Sequence, residues 1–107
     1  MELAFESQEL RDICENEAEA KRKLGERVAE TLKRRLADLD AAKSPKDILA
    51  GRPRLGQDGQ TMVIDLCEGH RIVFAANHPD NPATADGDLD WTKVRRVRIL
   101  RIEGDNV

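Results

Sequence analysis

Leu24, Val28, Leu32, Leu36 and Leu39 recur at steps of four, four, four and three residues. That spacing lines the five side chains along one stripe of an α-helix, and such a stripe must be buried against another element. Between them lie Lys21, Arg22, Lys23, Glu26, Arg27, Glu30, Lys33, Arg34, Arg35 and Asp38, a solvated face with opposite charges often three or four residues apart. The pattern predicts one helix from about Glu17 to Ala42. Gly25 falls inside it, where glycine costs about 1 kcal/mol against alanine; a close helix–helix approach is the expected reason for it.

What covers the stripe is read from the flanking segments. Leu3-Ala4-Phe5 is a short strand, followed by Ser7 as N-cap and Glu9 in the first turn of a helix over Gln8–Glu15. Leu10, Ile13 and Cys14 share one face of that helix. Ser44-Pro45 opens a short helical turn reaching Leu49. Residues 51–60, with three Gly and one Pro, form a loop. Met62–Leu66 and His70–Ala75 then flank Glu68-Gly69, the pattern of a β-hairpin. Residues 77–90 hold Pro79, Pro82, Gly87 and four Asp, an exposed loop that Trp91 anchors back onto the sheet.

The last apolar run, Val94 to Ile102, breaks its own alternation. Residues 97, 99 and 101 on one side and 96, 98, 100 and 102 on the other leave neither side purely apolar. A β-bulge, or a strand covered on both faces, accounts for that. The order strand, two helices, three strands is an α+β arrangement in a single domain over residues 1–107, a length that fits one core.

Composition narrows the function classes. The chain has 18 Lys+Arg against 21 Asp+Glu, a net charge of −3. Residues 1–42 carry 8 basic and 11 acidic side chains, while residues 43–107 carry 10 of each. Indiscriminate polyanion binding is disfavoured, but local arginine clusters remain available to phosphates. Two isolated cysteines, Cys14 and Cys67, offer neither a CxxC nor a Cys/His pairing, so no structural zinc is expected. With no apolar run near 20 residues and no basic, apolar leader at Met1–Glu6, a reduced cytoplasmic protein without a membrane span is expected. Nucleotide loops, nucleophile elbows and His-x-x-x-His pairs are absent from the sequence, and Asp80, Asp86, Asp88 and Asp90 lack EF-hand spacing.

Several patches together resemble a known family. They are Ala20-Lys21-Arg22-Lys23-Leu24-Gly25, Leu36–Ala42, Gly59-Gln60, Asp65-Leu66, His70-Arg71-Ile72-Val73-Phe74, Leu89–Val94 and Val97–Glu103. In this order they resemble the RelE/ParE toxin superfamily, in particular its HigB-like plasmid-maintenance killer branch, over nearly the whole chain. The resemblance implies a small twisted antiparallel sheet packed against two N-terminal helices, in the order β-α-α-β-β-β. It also implies the toxin of a type II toxin–antitoxin pair, a ribosome-dependent mRNA endonuclease that uses no cofactor or metal. In that chemistry the ribose 2′-OH attacks the adjacent phosphate, which requires a proton acceptor, a proton donor and positive charge at the phosphate. The implied partners are a cognate helix-turn-helix antitoxin, the ribosome and its mRNA, and operator DNA only through the antitoxin. The alternative is a family member without nuclease activity that binds its antitoxin, or a target such as gyrase in the manner of ParE.

The candidate catalytic residues are Arg71 and His70. Arg71 stands at the position of the arginine that family members carry before an Ile-x-Phe run, where a guanidinium can fork two hydrogen bonds to a phosphate. The alternative is an arginine whose stem covers the sheet and whose head meets a carboxylate such as Asp65. His70 points to the opposite face on a regular strand, and packing is the competing role for it; His78 reads as an exposed loop residue. Candidate phosphate ligands are Arg52 and Arg54, flanking Pro53, and Arg96 and Arg98, which share a strand face with one another within the basic row Arg95, Arg96, Arg98 and Arg101. Solvated surface and protection of a strand edge are the plain alternatives. Relatives often end in an acidic residue followed by Tyr and His; this chain has Asp105 and Asn106 there and no Tyr. Neither side chain is a good acid near neutral pH.

Overall fold

The structure, a computed structural model, describes residues 1–104. Asp105 and Asn106 therefore lie outside the described residues. Strand β1 (Glu2–Phe5) is followed by helices α1 (Gln8–Glu15), α2 (Glu17–Leu24) and α3 (Glu26–Ala41). A 3-10 turn over Pro45–Asp47 leads to β2 (Arg54–Leu55), β3 (Thr61–Asp65) and β4 (His70–Ala76). A second 3-10 turn, Trp91–Lys93, precedes β5 (Arg96–Gly104). The α+β class holds, with three helices and a five-stranded mixed sheet in place of two helices and an antiparallel one.

Two features account for the difference. The expected helix over 17–42 divides at Gly25, whose backbone angles of 87° and 161° lie in a region essentially reserved for glycine. A side chain there would meet nothing within 4 Å, so the glycine serves the chain reversal and not a close helix contact. The sheet order is β1-β5-β4-β3-β2, and β1 runs parallel to β5 while every other pair is antiparallel. The loop expected over 51–60 also contains the two-residue strand β2.

Helix ends are closed by the residues that flank them. Ser7 Oγ accepts from the Leu10 N–H at 3.1 Å and Asn16 Oδ1 from the Glu19 N–H at 3.1 Å. At the far end of α3, the Met1 ammonium donates to the carbonyls of Leu39, Asp40 and Ala42 at 3.3, 2.7 and 2.9 Å. Those carbonyls have no later helical N–H to accept from, and a cation there also meets the negative end of the helix dipole.

The stripe does what its spacing dictates. Leu32 and Leu39 are buried in one cluster with Met62, Ile64, Ile72, Phe74, Val97 and Ile99 of the sheet, with Leu24 and Leu36 packed at its margin. Trp91 joins this core, stacked edge-on against Phe74 at 6.2 Å, and its indole N–H donates to the Gly59 carbonyl at 3.1 Å. That contact confirms the tryptophan as the anchor of the long loop.

Candidate functional site

With the helices on one side of the sheet, the side chains of alternate strand residues are left on the other. The broken alternation of β5 is resolved by a bulge: Phe74 pairs with Ile99 and Val73 with Arg101, leaving Leu100 as the extra residue. Val97, Ile99 and Ile102 consequently all turn towards the helices, and Arg96, Arg98, Arg101 and Glu103 all turn away. Across the sheet the same rung places Asp65, Arg71 and Glu103 side by side on β3, β4 and β5. Arg54 is opposite Val63, and Val73, only 2% exposed, occupies the middle of this face between Val63 and Arg101.

Four of the arginines are drawn into pairs, each pair sharing a carboxylate. Arg52 donates to Asp65 Oδ2 through Nε at 2.8 Å and Nη2 at 2.5 Å, and Arg54 Nη2 reaches Oδ1 at 3.0 Å. Arg71 Nε donates to Glu103 Oε1 at 3.0 Å, and Arg101 Nε to Oε2 at 2.5 Å. Nearer the β1 edge, Arg96 pairs with Glu2 at 3.0 Å and Arg98 with Glu6 at 3.7 Å. The arginines at 52, 54, 71, 96, 98 and 101 thus stand against the carboxylates at 2, 6, 65 and 103. Among the described residues the face sets six arginines against four carboxylates, although the whole chain is acidic. Hydrogen bonds from Arg54 and then Arg52 hold the Asp65 carboxyl below its usual range, and bonds from Arg101 and then Arg71 do the same for Glu103.

The loop carrying Arg52 is shaped for this contact. Gly51 lies so close to β3 that a Cβ there would stand 2.7 Å from the Asp65 carbonyl oxygen and nearer still to Ile64 Cγ2. Its own carbonyl accepts from the Asp65 N–H at 2.6 Å. Arg52 follows with φ at +48°, a left-handed conformation that few non-glycine residues adopt, directly before Pro53. The outcome is a guanidinium carried over the end of β3.

No protein-family model, curated protein or solved structure matches this chain.

Among the residues singled out from the sequence, the structure brings Arg52, Arg54, Arg71, Arg96 and Arg98 onto one face, joined by Arg101. It does not bring His70 there. His70 is in register with Gly104 on the helix side of β4, and its Nδ1 lies 3.2 Å from the Glu68 carbonyl oxygen across the hairpin turn. Arg71 meets a carboxylate, as the alternative for it requires, and among the described residues that carboxylate is Glu103. Sequence reasoning missed Glu103 and offered Asp65 to Arg71 where it serves Arg52 and Arg54, because which acids face which arginines depends on strand register. It also missed His78, whose Nε2 accepts from the backbone N–H groups of Arg95 and Arg96 at 3.0 and 3.3 Å and ties the long loop to the start of β5. Among the described residues no three His, Cys, Asp or Glu side chains converge as metal ligands, and no helix is long and apolar enough to cross a membrane.

Proposed function

We propose that this chain is the toxin of a type II toxin–antitoxin pair, a RelE/ParE-like, HigB-like protein that cleaves mRNA on the ribosome and is neutralised by a helix-turn-helix antitoxin. The observation that carries the reading is the gathering of six arginines on the one sheet face that the helices leave uncovered, with Arg71 between Asp65 and Glu103 on one rung. Planar guanidiniums suit phosphate oxygens, and preorganised positive charge is what a phosphate under attack by a 2′-OH needs. In this reading Arg71 stabilises the developing charge. Arg52, Arg54, Arg96 and Arg98 hold neighbouring backbone phosphates, and the ribosome positions the message. The acid–base work does not fall to His70 beside Arg71, since the two occupy opposite faces.

Primer extension on a defined mRNA in a cell-free translation reaction tests this reading. New 5′ ends at A-site codons, absent without ribosomes and lost in Arg71→Ala, are expected. Intact mRNA with folded protein would overturn it. Two observations favour a second reading, a protein-binding module contacting an antitoxin or a gyrase-like target. Every arginine of the face already has a carboxylate partner, and the chain contains no tyrosine to act as an acid.

A further inference from the structure

We propose that Asp65 and Glu103 are built-in occupants of two phosphate positions, and that a polynucleotide backbone binds this face by displacing them. The inference rests on the reading of the arginine face as a nucleic-acid surface and adds the way that surface is kept closed.

The two carboxylates share one geometry. In each, one oxygen accepts from one guanidinium and the other oxygen from a second: Arg52 and Arg54 around Asp65, Arg71 and Arg101 around Glu103. A phosphodiester presents the same pair of anionic oxygens and satisfies the same two arginines. Both carboxylates flank Arg71 on one rung, so the two positions are separated by two strand spacings, about 10 Å. Glu2 and Glu6, on the same face, do not share this geometry: Glu2 pairs with Arg96 and Glu6 with Arg98.

The energetics permit exchange. Arg52 is 82% exposed and Arg101 56%, whereas Arg71, Asp65 and Glu103 are partly buried; giving up an exposed ion pair costs about fivefold in affinity. An incoming strand delivers several phosphates together and releases its counterions, and each phosphate takes over both guanidiniums of the carboxylate it displaces, which offsets the loss of these four arginine–carboxylate pairs. The left-handed backbone at Arg52 carries its guanidinium over Asp65 before any ligand is present.

The test is fluorescence anisotropy with a labelled single-stranded ten-nucleotide uridine RNA and the full chain at about 0.1 M salt. Asp65→Asn and Glu103→Gln should each tighten binding about fivefold, and the double variant about 25-fold. Glu2→Gln and Glu6→Gln, with the same change in charge, should gain no more than about twofold. Asp65→Ser and Glu103→Ser repeat the measurement should an amide variant fail to fold. Equal gains in all four single variants would assign the effect to net charge and overturn the proposal, while the nucleic-acid reading would stand. Weaker binding in Asp65→Asn or Glu103→Gln would mean that the carboxylates position the arginines, which also overturns it. No binding by the wild type or any variant at millimolar RNA would instead remove the nucleic-acid reading, and this proposal with it.

Discussion

A carboxylate shared by two arginines changes how the protein responds to acid. Asp65 and Glu103 have ordinary pKa values of 3.8 and 4.5, and both are lowered in the folded chain by their guanidinium partners. The folded state therefore binds these protons less readily than the unfolded state. The stability they contribute is complete above the ordinary values and is lost as pH falls through the lower folded values. Urea midpoints measured from pH 6 to pH 2 should fall less steeply in Asp65→Asn than in the wild type. Parallel curves would show that the Arg52–Asp65–Arg54 cluster adds nothing to folding stability. A titrating thiol behaves oppositely at Cys14, where burial and then the charge of Glu15 push its pKa to about 12, so it is a protonated packing group at neutral pH.

At the scale of elements, one glycine decides how the helical stripe is used. Gly25 separates α2 from α3, and its conformation costs a non-glycine residue about 1–3 kcal/mol. Gly25→Ala should lower unfolding stability by about that amount without adding helical signal in circular dichroism. A gain in helix with unchanged stability would mean that the two helices fuse into the single one the spacing predicts. That spacing was legible because a period near 3.6 persists through 24, 28, 32, 36 and 39, but a break that keeps the same stripe buried leaves no mark on the period. The bulge at Leu100 was legible from the opposite cause, since a strand whose alternation fails must add a residue or be covered twice. Strand β2 was not, because two residues carry no periodicity. Nor was the parallel pairing of β1, since an alternating pattern reads the same in either direction. Arg71 stood out from the sequence, but its partner Glu103 lies 32 residues away and was hidden in the register.

The whole molecule is held together where the long loop meets the core. Trp91 is 4% exposed, touches Phe74 and donates to Gly59, linking the segment before β5 to the loop before β3. Trp91→Phe removes that hydrogen bond and leaves space in the core, an expected loss of about 2 kcal/mol or roughly 10 °C in Tm. Thermal melts followed by circular dichroism check it, and an unchanged Tm would mean that the loop closes without its anchor. A further consequence follows from the position of β5, which lies between β1 and β4 although it follows every other strand among the described residues. Until residue 96 is reached, β1 has no strand to pair with and β4 has only β3. Translation thus produces two separated fragments of a sheet whose middle is missing. The arginine rows of β2–β4 and β5 come together only after β5 has been synthesised and threaded between its neighbours. A nascent chain halted before that point cannot assemble the full basic face, so activity that depends on the face begins only after this strand has left the ribosome.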